Sequence, residues 1–242
     1  MPNPAIPLLS QGTPGVLGSS SRQQVEDDLV RVSESRSELD SQIASMDLGD
    51  IAGDPTLADY ARRSGASSFK LVCVQCHGSG AQGSQEHGYP NLNDDAWLWG
   101  GSLDQIYNTI THGVRNGTDP DAHASLMPAF GEGMLKSQQI SDVADYVLSL
   151  SGRDHEAEAA ERGAPLYAQN CAVCHGADGA GNTALGAPRL NDAIWLYGGS
   201  HDALVAQITH PRMGVMPAWA PHFDDATRKK LAVYVHSLGG GQ

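Results

Sequence analysis

Apolar residues recur in helical steps in three parts of the chain. Between residues 21 and 46, Val25, Leu29, Val32, Leu39, Ile43 and Met46 follow alternating steps of four and three, broken only by Arg36. That row predicts an amphipathic helix, with Ser20 or Ser21 as its cap. The helix can lie on the chain's own core or on a partner, and about three heptads are few for a free coiled coil. Ile140, Val143, Ala144 and Val147 mark a second helix, in SQQISDVADYVLSL. Leu231, Tyr234, Val235 and Leu238 mark a third, in DDATRKKLAVYVHSL. Between these lie stretches with neither helix nor strand period. PNLNDDAWLWGGS begins at Pro90, and PRLNDAIWLYGGS begins at Pro188. Nine of their thirteen letters match. Secondary structure alone does not explain why Asn, Asp, Trp and Gly stand twice in that order.

These segments belong to a longer repeat. Gly65 to His112 recurs without gaps as Gly163 to His210. Beyond it the copies diverge. Fourteen residues precede MPAF in the first copy, and five precede MPAW in the second. The longer connection, GVRNGTDPDAHASL, is rich in Gly, Asn, Asp and Pro and reads as a surface loop. Each copy is then a helix, a cysteine motif, a glycine-rich loop, a short helix, a Met-Pro turn and a last helix.

The cysteines carry the chemistry. Cys73 and Cys76 lie in CVQCH, Cys171 and Cys174 in CAVCH, and the chain has no others. C-x-x-C-H is the attachment pattern of c-type haem. Two thiols add to the two vinyl groups, and the adjacent His, here His77 and His175, reaches the iron as a neutral imidazole. Four thiolates around one zinc, or a redox dithiol, are the competing readings. Neither requires a His after both pairs. The expected cofactors are therefore two covalently bound haem c groups.

This order of elements resembles the class I cytochrome c fold. The resemblance implies an all-α chain of two tandem domains, each wrapped around one haem, preceded by the amphipathic helix. It places a distal Met on the loop before the last helix, where Met127 and Met216 stand, each followed by Pro-Ala-aromatic. Proline keeps helix out of such a loop. Met213, His112, His210 and His123 are weaker rivals as ligands. In that fold a Gly and an aromatic on the first helix receive the last one. Gly65 with Phe69, and Gly163 with Tyr167, fit those places, with Tyr146 and Tyr234 as their partners. The expected boundaries are 1–20 for an extended segment, 21–53 for the helix and connector, and 54–152 and 153–242 for the two domains.

A haem also brings two carboxylates, which need donors when buried. Trp97 and Trp195, with Asn93 and Asn191, are the candidates for lining each propionate edge. The alternative is that both tryptophans are ordinary core residues.

A narrower resemblance rests on NPAIPLLSQGTPGVLGSSSRQQVEDDL and on two haem segments, each with LNDxxWLxGGS and MPA[FW]. Together they resemble the dihaem FixP or CcoP type of subunit of cbb3-type cytochrome c oxidases. That resemblance implies an electron relay from a donor c-type cytochrome to the catalytic and monohaem subunits of the oxidase. It implies a periplasmic location and a membrane anchor, which this chain does not contain. A free periplasmic dihaem shuttle of the cytochrome c4 kind, or the cytochrome subunit of a sulfur-oxidising dehydrogenase, are the alternatives. With His and Met on both sides of each iron, no position is open to a substrate, so no catalytic site is expected in this chain by itself. The net charge of −13 argues against nucleic acid as a partner.

Overall fold

A computed structural model describes residues 21–240, all of it helix and loop apart from isolated bridges. The segment 1–20, expected to be extended, lies outside the described residues.

Among the described residues ten helices follow in order: α1 (Ser21–Ser45), α2 (Leu48–Gly53), α3 (Pro55–Val72), α4 (Val74–His77), α5 (Leu103–His112), α6 (Ser137–Leu150), α7 (Ala157–Asn170), α8 (Ala172–His175), α9 (His201–Thr209) and α10 (Asp225–His236). Local chemistry sets several starts. The Asp54 carboxylate accepts from the Thr56 and Leu57 amides at 2.8 and 3.0 Å, and Pro55 fills the first turn of α3. Ser102 and Gln105 close a capping box on α5. Asp224 caps α10 through the Thr227 amide at 2.8 Å.

Two cores form, and neither is made of one repeat. In the first, Leu57, Ala61 and Phe69 of α3 and Ile106 and Ile110 of α5 pack with Leu231, Ala232 and Val235 of α10. In the second, Tyr167 of α7 and Leu204 and Ile208 of α9 pack with Ile140, Val143, Ala144 and Val147 of α6. So each unit takes its first helices from one repeat and its last helix from the other. Gly65 faces Lys230 and Tyr234, and Gly163 faces Asp142 and Val143. Phe69 meets Tyr234, with ring centroids 5.4 Å apart, and Tyr167 meets Tyr146 at 5.1 Å. Each core thus draws on both of the expected segments, 54–152 and 153–242.

The physical reason is connectivity. Only Ser151 to Glu156 separate α6 from α7. Gly152, at φ +66°, turns the chain after α6, and Arg153 N–H donates back to the Leu148 carbonyl at 3.0 Å. A connection this short makes its two helices neighbours. The other two crossings meet midway. Val114 and Met216 exchange both backbone hydrogen bonds, each 2.9 Å long. Beyond them the exchange is symmetric: Phe130 and Gly131 donate to the carbonyls of Ile208 and Thr209, and Trp219 and Ala220 donate to those of Ile110 and Thr111.

The apolar row of α1 divides. Its C-terminal half, with Leu39, Ile43 and Met46, packs on the first core. Lys229 of α10 donates to the carbonyls of Ile43, Ala44 and Met46 at the end of α1. Buried Lys230 pairs with Asp40 at 2.7 Å, and Tyr60 O–H donates to the same carboxylate at 2.9 Å. Val25, Leu29 and Val32 of the N-terminal half are exposed.

Candidate haem sites

Each cysteine motif is one helical turn. Cys73 N–H donates to Phe69, and His77 N–H donates to the Cys73 carbonyl at 2.9 Å. Cys171 and His175 repeat the arrangement. Residues three and four apart share a helix face, so each turn gathers two thiols and one imidazole on one side. Gly78 and Gly176 end the turns at φ +79° and +83°, a conformation that a side chain resists.

Both histidines are set as neutral ligands. His77 Nδ1 lies 3.1 Å from the Pro90 carbonyl, and His175 Nδ1 lies 3.0 Å from that of Pro188. A carbonyl only accepts, so Nδ1 carries the proton and the Nε2 lone pair is free for a metal. Burial lowers both imidazole pKa values, which keeps the rings uncharged. Burial also pushes the Cys73 and Cys171 thiols up to about 11. Cys73 packs against the first core and Cys171 lies in the second. Among the described residues the four sulfurs form no disulfide and no common metal cluster. A single four-thiolate zinc therefore has no place here.

A cavity of about 170 Å³ opens beside Cys73, Cys76 and His77. Leu92, Ile106, Trp219, Leu231 and Val235 make its wall apolar, and Met216 stands in it with Pro217. Met216 comes from the far repeat. Met127 correspondingly packs against the second core, with Cys171, Tyr167 and Trp195. Of the rival ligands, neither His112, His210, His123 nor Met213 lines the first cavity. His112 faces Asp119 at 3.1 Å, and His123 stacks on Trp99 at a centroid distance of 4.3 Å.

The repeated segment has three roles. Asn93 donates to the Gly80 carbonyl at 2.8 Å and to Asn91 at 2.9 Å. Asn191 donates to the matching Asp178 carbonyl at 3.1 Å. Both amides thus brace the loop after the cysteine turn, and both protons of Asn93 are engaged within the protein. Trp97 Nε1 donates to the Gly240 carbonyl. Trp195 Nε1 is buried without a hydrogen-bond partner among the described residues. An unpartnered buried N–H costs free energy unless a bound group accepts it.

Trp99 and Tyr197, which hold the same place in the repeat, lock the units together. A side chain on Gly186 would overlap the Trp99 ring, and one on Gly88 would overlap the Tyr197 ring. Each glycine therefore makes room for the aromatic of the other repeat. The two glycines stand 98 residues apart, at matching places in the repeat. A second cavity, about 760 Å³, lies where the units meet, lined by Gln82, Tyr89 and Trp97 and by their repeat mates Ala180, Ala187 and Trp195.

The apolar cavity, the free Nε2 atoms, the paired thiols and the orphaned indole all fit a covalently held haem. Comparison with known proteins agrees. Residues 63–151 match the cytochrome c family model, and residues 158–235 match the model for cytochrome c oxidase, cbb3-type, subunit III. The chain is 49% identical over 99% of its length to the cbb3-type cytochrome c oxidase subunit CcoP of Cereibacter sphaeroides, covering 82% of that protein. It is 49% identical to subunit FixP of Sinorhizobium medicae, with the same coverage of both chains. FixP of Azorhizobium caulinodans is also 49% identical, with 99% of this chain and 80% of that protein covered. Two matched cytochrome c segments, each with one C-x-x-C-H, give two covalently bound c-type haems. With this identity sustained over nearly its whole length, the chain belongs to the CcoP/FixP family of cbb3-type cytochrome c oxidase subunits.

Proposed function

We propose that the chain relays single electrons from a donor c-type cytochrome to the catalytic and monohaem subunits of a cbb3-type oxidase, on the periplasmic side of the membrane. Its relatives are named as subunits of that oxidase over 99% of this chain, which favours this reading over a free shuttle or a dehydrogenase subunit. Among the described residues no helix is long and apolar enough to cross a membrane.

His77 with Met216, and His175 with Met127, would hold the two haem irons. The observation that carries this pairing is Met216 in the cavity of His77, delivered by the crossing at Val114. Bound haem supplies the one-electron iron couple. The chain's residues do the rest. Cys73, Cys76, Cys171 and Cys174 fix position, and the Pro90 and Pro188 carbonyls orient the imidazoles. The thioether sulfurs of the two Met favour the reduced state, and the apolar wall excludes water. The buried Trp195 indole is the donor offered to a propionate of the second haem.

Chains keeping one haem test the pairing. In Cys73→Ala/Cys76→Ala protein, Met127→Ala removes the Met–iron charge-transfer band and Met216→Ala leaves it. The reverse outcome refutes the crossed pairing.

A further inference from the structure

One charged side chain lines the cavity beside His77, and nothing in the fold accounts for its charge. Arg115 follows the crossing residue Val114 and is half-buried. Its Nε–H donates to the Gly214 carbonyl at 2.9 Å. Among the described residues it forms no ion pair, and burial works against its charge. Its backbone sits at φ +49°, one of two non-glycine residues at positive φ among the described residues. A half-buried guanidinium held in an uncommon conformation without an anion calls for a counter-charge.

We propose that Arg115 is the counter-ion of a carboxylate on the haem attached at Cys73 and Cys76, and that it holds that haem's midpoint potential up. The geometry supports this. The remaining lining is apolar or neutral, so a dianionic group entering the cavity meets this cation alone. Gly214, which Arg115 grips, lies two residues before Met216, so the guanidinium is anchored to the segment that presents the sulfur. The second repeat has no equivalent. After His210 the chain reads Pro-Arg-Met, and Arg212 is exposed, lies over the Tyr197 ring at 4.7 Å and donates to the Glu86 carbonyl at 3.1 Å. A fixed cation favours the electron-rich iron, so losing it lowers the potential. Arg115 thus sets one fixed positive charge beside the first haem.

The inference rests on the crossed pairing of ligands, and a redox titration of the full dihaem chain separates the two. Met216→His marks the wave that belongs to the first haem. Arg115→Gln is expected to shift that same wave toward the oxidised form by about tenfold, which is 59 mV for one electron. The other wave stays within a third of that shift. Arg115→Lys keeps the charge and should hold the potential. Arg115→Gly relieves the positive φ, so it folds readily, and should follow Gln. An unmoved wave in Gln and Gly overturns the inference. So does a fall in Lys equal to that in Gln, which would mean a bracing role alone. If Arg115→Gln and Met216→His move different waves, the ligand pairing fails instead.

Discussion

The backbones of Val114 and Met216 exchange both hydrogen bonds, and this junction is where the two repeats trade ends. Val114 leaves α5 in the first unit, bound for the second. Met216 arrives from α9 in the second unit, bound for the first. The pairing aligns the two crossing segments, so the sulfur of one repeat is brought to the histidine of the other.

Neither repeat should then complete a six-coordinate site alone. Residues 54–152 and 153–242, expressed separately with haem, are expected to lack the Met–iron charge-transfer band. Mixing them should restore it. Visible spectra of each piece and of the mixture decide the point.

The two close-packing glycines should act crosswise. A Cβ on Gly65 overlaps the Lys230 carbonyl, and one on Gly163 overlaps that of Asp142. Backbone must move in either case, so Gly65→Ala and Gly163→Ala should each cost roughly 3 kcal/mol in thermal unfolding. Gly65→Ala loosens α10 and should weaken ligation by Met216. Gly163→Ala loosens α6 and should weaken ligation by Met127. Single-haem chains read the two effects apart.

Lys230 is a buried cation whose charge is balanced by Asp40. Asp40→Ala leaves it uncompensated and should destabilise the first unit by about 2 kcal/mol, reduced from a fully buried pair because Asp40 is partly exposed. Asp40→Ala/Lys230→Met should be milder than Asp40→Ala alone. Denaturant unfolding of the two variants tests that order.

The seam between α6 and α7 should be sensitive to acid. The Arg162 guanidinium, 2.8 Å from Asp142, holds the carboxyl below its ordinary range, joined by Gln138 at 3.1 Å. A depressed folded value contributes stability above the unfolded pKa, near 4, and loses it as pH falls through the folded value. The stability gap between wild type and Asp142→Asn should be full at pH 7 and shrink below about pH 4. Unfolding midpoints across that range measure it.

The parts of the sites that repeat rest on local chemistry. The C-x-x-C-H turns need only helical spacing. The prolines that hold His77 and His175 lie at the same distance along both copies. Asn93 and Asn191 show the limit of such reading. Their repetition was legible, but their acceptors, the Gly80 and Asp178 carbonyls, belong to a loop whose path depends on the turn before it. Arg115 carried no repeat signal, since the second copy has no counterpart.

The sequence by itself determined what each unit contains: two thiols and an imidazole, a Met-Pro loop, and a glycine facing a helix. It did not determine which repeat supplies which part. The two copies have the same apolar pattern, so periodicity does not say which first helix receives α6 and which receives α10. The tertiary structure chose through chain connection. The short link after α6 seats it beside α7, and the paired crossing at Val114 and Met216 sends α10 back to α3.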